Sequence, residues 1–231
     1  MEHGAVLFSA GIDSTTALYW AYHRFRYLSA LTFDYKQRHS IEIKMAQKIA
    51  RKLKIPHEIL KVDLAQIGGS SLTDLNLSLP EFSNEKEIGP RPPSTYVPFR
   101  NGIFLAFAAA WAEIHEAETL VCGFNIIDSP NYPDTRETFI NAMEKAINTG
   151  TRAAFTGKKI RLVAPFINKK KSDIIRLGLS LGADYSYSVS CYKGEEFPCM
   201  TCSSCLLRKK AWKEVGLPDP LIERIQSEEK Q

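Results

Sequence analysis

No apolar stretch in this 231-residue chain is long enough to cross a bilayer. The longest, Gly102–Ala112, has 11 residues, against the roughly 20 that a spanning helix needs. The opening MEHGAVLFSAGIDS lacks the basic start and extended apolar centre of a secretory signal. Charge of one sign is nearly absent in excess: 30 Lys+Arg against 26 Asp+Glu leave +4, too little to argue for nucleic acid on its own. No internal repeat is visible. Cysteine is scarce and odd in number, with five residues, so a fully paired disulfide miniprotein is excluded. With 44% hydrophobic and 24% charged residues, disorder and collagen-like repeats are excluded too. What remains is a soluble, cytoplasmic α/β-sized chain with no membrane association, one large domain with a small appendage.

What is there alternates. Ala5–Phe8 reads as a strand, Ser9-Ala-Gly11 as a turn and Thr15–Tyr22 as a helix. Leu28–Phe33 is a second strand, Ile41–Leu53 an amphipathic helix with a Lys-rich outer face, and His57–Val62 a third strand. This βαβαβ order implies a doubly wound, Rossmann-like parallel sheet with helices on both faces. Residues 66–99, with Gly68, Gly69 and five prolines, show no period and read as a mobile loop or lid. Asn101 is expected to cap a helix ending near Glu116. Then come a strand at Thr119–Cys122, a helix from Thr135 to Asn148, a strand at Ile160–Pro165, a helix at Lys171–Leu181 and a frayed tail from Ser227. The division expected is a nucleotide-binding domain over 1–186 and a metal-binding segment with a C-terminal helix over 187–222.

Two motifs carry chemistry. Ser9-Ala-Gly-Ile-Asp-Ser14 lies where a parallel strand hands over to a helix N-terminus, the edge at which open α/β sheets bind ligands. Small residues let the backbone approach an anion, free N–H groups and the helix dipole attract it, and the Ser9, Ser14 and Thr15 hydroxyls are further donors. Asp13 is expected either to cap the helix or to help hold magnesium. No Gly-Lys-Ser/Thr follows, so this is not a Walker loop. The second motif is Cys191-x7-Cys199-x2-Cys202-x2-Cys205, a spacing suited to a closed tetrahedral zinc cage, with iron–sulfur ligation as the competitor. Cys122 stands apart at a strand end.

The first motif resembles the SGGxDS signature of the PP-loop ATP pyrophosphatases, with Ser9, Gly11, Asp13 and Ser14 matching and Ala10 in place of a glycine. Together with the terminal cysteines, the chain resembles the 7-cyano-7-deazaguanine synthase (QueC) family along almost its whole length. The matching segments are Phe33-Asp-Tyr-Lys-Gln-Arg-His39, Ile67-Gly-Gly-Ser-Ser-Leu-Thr-Asp74, Tyr96-Val-Pro-Phe-Arg-Asn101, Gly123-Phe-Asn with Asp128 and Tyr132-Pro-Asp-Thr-Arg136, Ser190-Cys-Tyr192, and Cys205-Leu-Leu-Arg208. It departs at Ala10, Lys36 and Phe99, where the family commonly has small residues, at Asp128-Ser-Pro-Asn131, and at Thr135 in place of Cys.

The resemblance implies an ATP-dependent, adenylating carbon–nitrogen ligase of queuosine biosynthesis. It would convert 7-carboxy-7-deazaguanine and ammonia into the nitrile, with ATP, Mg2+ and a structural Zn2+, as a homodimer. It also implies roles. Phe8, Ser9, Ala10, Gly11, Asp13, Ser14 and Thr15 would cradle the nucleotide, joined by Arg100 and Asn101. Asp13, Arg38 and Lys171 would be catalytic, with Arg38 meeting phosphate or carboxylate. Gln37, His39, Asp128, Tyr132, Asp134 and Arg136 would hold the acid, Tyr132 by stacking. The metal would sit on Cys191, Cys199, Cys202 and Cys205. Three alternatives stay open: a paralogue passing the same activated acid to an amine on a protein or nucleic acid, a PP-loop tRNA thiolase using Cys122 and the basic run Lys158–Lys171, and a zinc-ribbon nucleic-acid binder on an inert scaffold.

Overall fold

Alternation along β1 (His3–Leu7) sets the layering. Ala5 belongs to the buried cluster on one face of the sheet and Val6 to that on the other, as successive strand side chains must. The computed structural model describes residues 3–38, 41–89, 91–127 and 131–230. Four further strands follow: β2 (Tyr27–Asp34), β3 (His57–Lys61), β4 (Thr119–Cys122) and β5 (Arg161–Val163). All pair in parallel, in the order β3-β2-β1-β4-β5. Leu7 at the end of β1 is level with Leu31 of β2 and Cys122 of β4. The order reverses between β1 and β4, so ligands are expected at the carboxyl edge there.

Helices close both faces. α1 (Ile12–Tyr22), α2 (Ile41–Leu53), α6 (Lys171–Ser180) and α8 (Pro220–Glu228) supply Leu18, Ile49, Ile174 and Leu221 to one core. α3 (Arg100–His115) and α4 (Glu137–Gly150) supply Leu105, Trp111 and Ile140 to the other. α5 (Ala153–Thr156) is a single turn. In α2 the apolar positions Met45, Ala46, Ile49 and Ala50 face inward, with Glu42 in the first turn and Arg51 and Lys52 in the last, signs that suit the helix dipole.

The cysteine segment leads into α7 (Ser203–Val215) with Cys202 at its N-cap. A third buried cluster joins it to the main domain: Ala211 and Trp212 pack with Ile12, Tyr19, Ile175 and Tyr185. Arg208, 2% exposed, grips Asp219 through Nε and Nη2, at 2.5 and 2.7 Å, and reaches Ser190 Oγ at 3.3 Å. Such a buried bidentate pair costs about 3–5 kcal/mol to break from one side.

The described residues of 66–99 hold one short 3-10 turn, Glu85–Glu87, yet they are tied down at several points. Phe82 N–H donates to Thr201 O, Ser71 N–H to Ser94 O, and Asn131 Nδ2 to Gly89 O. Lys193 pairs with Glu81 at 2.6 Å. In this structure the segment is a strap fastened to the cysteine segment and to the chain just before α4. Among the described residues, no helix is long and apolar enough to cross a membrane.

Candidate functional site

A cavity of about 300 Å³ opens at the reversal point. Its floor is the exit of β1 (Leu7, Phe8, Ser9), its sides the exits of β2 (Tyr35, Gln37) and β4 (Gly123, Phe124, Asn125). Four helices aim their first turns into it: α1 with Gly11, Asp13 and Ser14, α3 with Arg100 and Asn101, α6 with Lys171, and α7 with Ser204. Converging N-termini, each carrying the partial positive charge of its helix dipole, make this a well for anions.

The first loop is built for close approach. Gly11 is the N-cap of α1, with no side-chain cap. Asp13 therefore does not cap the helix. Its Oδ2 accepts from Lys171 Nζ at 2.6 Å, while Oδ1 is buried without a partner. Ser14 Oγ donates to Gly11 O at 3.1 Å, accepts the Ser9 N–H at 3.2 Å and lies 3.2 Å from Ser9 Oγ. Ala10 sits in the left-handed region, φ +57°, so the turn of a glycine is adopted by alanine. A side chain at Gly123 would lie 2.7–2.8 Å from the Asp13 and Ser14 backbone, so the end of β4 can carry only glycine against α1.

The opposite wall is aromatic and cationic. Arg100 Nη1 donates to Tyr35 Oη at 3.3 Å. Burial works against its charge, and the Tyr35 hydroxyl that accepts its hydrogen bond supports it. Burial pushes the Tyr35 and Tyr192 phenols up, so both are neutral. Phe33 stacks on Phe104 at 4.1 Å, walling the same side.

Of the residues expected at the site, Phe8, Ser9, Gly11, Asp13, Ser14, Gln37, Arg100, Asn101, Tyr132 and Lys171 line the cavity. Ala10 and Thr15 lie behind it, both fully buried. Arg38 turns away, its Nη2 donating to Asp74 O and Leu77 O at 2.7 and 2.5 Å; it fastens the strap. Gln37 is partly occupied by holding the β2 exit, its Oε1 accepting Tyr35 N–H at 2.8 Å. Asp134 is buried beneath the wall, and Arg136 is exposed at the N-cap of α4. His39 and Asp128 lie outside the described residues. Asn101 is not the N-cap of α3: Phe99 is, at φ +53°. Tyr35, Glu42, Phe104, Asn125, Tyr192, Ser204 and Leu207 also line the cavity; the Phe33–His39, Gly123-Phe-Asn, Ser190-Cys-Tyr192 and Cys205-Leu-Leu-Arg208 segments carried the signal for four of them, Tyr35, Asn125, Tyr192 and Leu207.

The four cysteines converge. Their sulfurs all lie within 4.8 Å of one another, Cys199 and Cys205 at 3.9 Å. A tetrahedron with metal–sulfur bonds of ~2.3 Å has edges of ~3.8 Å, so the cage fits a single metal ion. Hydrogen bonds from Cys202 and Cys205 hold the Cys191 thiol below its usual range, and a cation bound among the sulfurs would favour the thiolate form of its ligands. Cys122 is pushed up to about 12 by burial and is the wrong kind of thiol for a nucleophile.

Fold and site together define a doubly wound α/β protein with an anion-suited cavity at the carboxyl edge of its parallel sheet. A 4-thiouridine synthetase solved with RNA and bound ATP shares the fold, with TM-score 0.51 and 20% identity over 93% of this chain and 50% of that one. NMN synthetase from Francisella tularensis does so with TM-score 0.50 and 14% identity over 97% and 82%. The profile of the queuosine biosynthesis protein QueC matches residues 4–216. The 7-cyano-7-deazaguanine synthase of Trichodesmium erythraeum is 45% identical over 218 residues, covering 94% of this chain and 98% of the relative. That of Psychrobacter sp. (strain PRwf-1) is 42% identical over 228 residues, covering 95% and 89%. The chain belongs to the QueC family.

Proposed function

We propose that this protein is a cytoplasmic, ATP-dependent 7-cyano-7-deazaguanine synthase. The observation that carries the reading is the convergence of four helix N-termini and Lys171 on one cavity whose other wall is Arg100 among tyrosines. One half suits a polyphosphate, the other a flat heteroaromatic acid.

In this reading the Ser9–Ser14 loop holds the ATP phosphates and Lys171 offsets charge at the α-phosphate. The bare Oδ1 of Asp13 suits a magnesium ion accompanying ATP, which would neutralise the triphosphate. Tyr132 stacks on the deazapurine and Arg100 meets its carboxylate. The carboxylate oxygen attacks the α-phosphorus, pyrophosphate leaves, and the acyl carbon now carries AMP as leaving group. Ammonia displaces AMP, losing a proton, to give the amide. A second ATP is attacked by the amide oxygen, and loss of AMP with the remaining nitrogen-bound protons gives the nitrile. The protein contributes orientation and fixed positive charge rather than covalent chemistry. The four-cysteine cage suits a structural Zn2+, whose chemistry is confined to holding Cys191, Cys199, Cys202 and Cys205 together. A homodimer is part of the proposal by family resemblance.

Incubation with ATP, ammonium and 7-carboxy-7-deazaguanine tests it: AMP and pyrophosphate should appear with the nitrile by mass spectrometry. Pyrophosphate without nitrile, in the presence of excess ammonium, would defeat the acceptor assignment.

A further inference from the structure

Helix α3 begins without a cap of its own. Phe99 at its N-cap is left-handed and offers no side-chain bond. The Asn101 N–H is taken instead by Oδ2 of Asp134 at 3.0 Å, and Asn101 Nδ2 donates back to the Asp134 carbonyl at 3.3 Å. Asp134 is 3% exposed and its Oδ1 has no hydrogen-bond partner among the described residues. A carboxylate so placed is oriented by the first turn of α3, whose dipole favours it.

The two ends of this bond belong to different elements of the same aromatic and cationic wall. Asp134 lies in the turn Pro133–Thr135, flanked by the wall residues Tyr132 and Thr135. Asn101 is adjacent to Arg100 on α3. Tyr132 and Arg100 both line the cavity. One buried carboxylate therefore fixes the aromatic platform relative to the cation.

We propose that Asp134 is a positioning residue for the acid substrate. It does not line the cavity; it caps α3 from the neighbouring turn and so sets the spacing between Tyr132 and Arg100. A flat acid lying on Tyr132 then presents its carboxylate to the guanidinium. This rests on the reading of the cavity given above, and it differs from direct contact between Asp134 and substrate.

The test compares wild type, Asp134→Ala and Asp134→Asn in steady-state kinetics, with thermal melting of each. Asp134→Ala should raise KM for 7-carboxy-7-deazaguanine about 10-fold or more and leave KM for ATP within about 3-fold, since a misplaced binding group costs orientation at one substrate only. Asp134→Asn keeps an acceptor oxygen for the Asn101 N–H and should restore KM for the acid to within about 3-fold of wild type. If Asp134→Ala fails to fold, the Asn variant and Asp134→Glu, whose longer side chain shifts the turn, carry the comparison: Glu should raise KM for the acid and Asn should not. The proposal is overturned if the Ala variant folds and binds the acid normally, if both KM values rise together, or if Asn is as damaging as Ala, which would mean that the charge itself meets substrate. A wild type that makes no nitrile defeats the reading of the site; a wild type that does, with acid affinity indifferent to Asp134, defeats this proposal alone.

Discussion

Lys171 Nζ donates to Asp13 Oδ2 across 2.6 Å, joining the first turn of α6 to that of α1 at the rim of the Ser9–Ser14 loop. The two side chains are only 16% and 22% exposed, so the pair is set before substrate arrives. Asp13→Ala should abolish nucleotide turnover, and Lys171→Met should lower kcat about 100-fold or more, the scale of losing a fixed charge at a developing one. Pyrophosphate release in single turnovers measures both, with circular dichroism to confirm the fold. Turnover within a few-fold of wild type in Asp13→Ala would remove the phosphate-loop assignment.

Replacing Cys202 by Ser should lose the metal and lower the melting temperature, because metal binding in such a cage is folding free energy. The effect should reach the cavity, since Ser190 and Tyr192 flank Cys191 and Ser204 lies on α7 beside Cys202 and Cys205. Metal analysis by mass spectrometry should return about one zinc per wild-type chain, and ATP binding by calorimetry should weaken in the variant. Iron, or unaltered metal content after the substitution, would contradict the cage as drawn.

Three positions at which the resemblance leads one to expect small residues share a left-handed backbone. Ala10, Lys36 and Phe99 have φ of +57°, +63° and +53°, the left-handed region that costs a side-chain-bearing residue about 1–2 kcal/mol. At exposed Lys36, a change to Gly relieves that strain against ~0.4–1 kcal/mol of added chain entropy; urea unfolding should show a gain of up to about 1 kcal/mol. At buried Ala10 the lost methyl contributes about 0.8 kcal/mol in the opposite direction, so Ala10→Gly should be near neutral. Ala10→Val, β-branched at positive φ, should cost about 2 kcal/mol or more.

His57 gives a pH dependence. Burial lowers its pKa from 6.5. Thr32 Oγ1 donates to Phe8 O at 2.6 Å, so at the 2.7 Å contact with His57 Nε2 it is the acceptor, and the neutral ring carries its proton there. With the folded pKa below the unfolded one, the unfolded chain binds the extra proton first. Stability is therefore full above about pH 6.5 and falls as pH drops toward the lowered value, levelling off beneath it. Melting temperatures between pH 8 and 5 should show this fall, and His57→Gln should flatten it; an equal slope in the variant would exclude His57 as the source.

The alternating elements were legible because each buries one face with its own period. Ile41–Leu53 and Thr119–Cys122 fall where the pattern puts them, whereas α8 runs to Glu228, past the expected end of the metal-binding segment at 222 and into the tail expected to fray from Ser227, its first turn capped by the Asp219 side chain, which accepts the Leu221 N–H. What was not legible depended on partners far away in the chain. Asn101 has the local look of a cap, but the cap of α3 comes from Asp134. Arg38 has the look of a phosphate ligand, but its bonds go to carbonyls of the strap, 36 and 39 residues on. Tyr35 and Tyr192 acquire meaning only when the fold brings them around Arg100.

The sulfur cage and the cavity share a continuous stretch of backbone, Ser190-Cys191-Tyr192, and Thr201 in the same segment anchors the strap through Phe82. An oxidant that strips one thiolate would therefore silence catalysis well before the sheet melts, leaving a folded but inactive molecule that a reductant and fresh metal could revive.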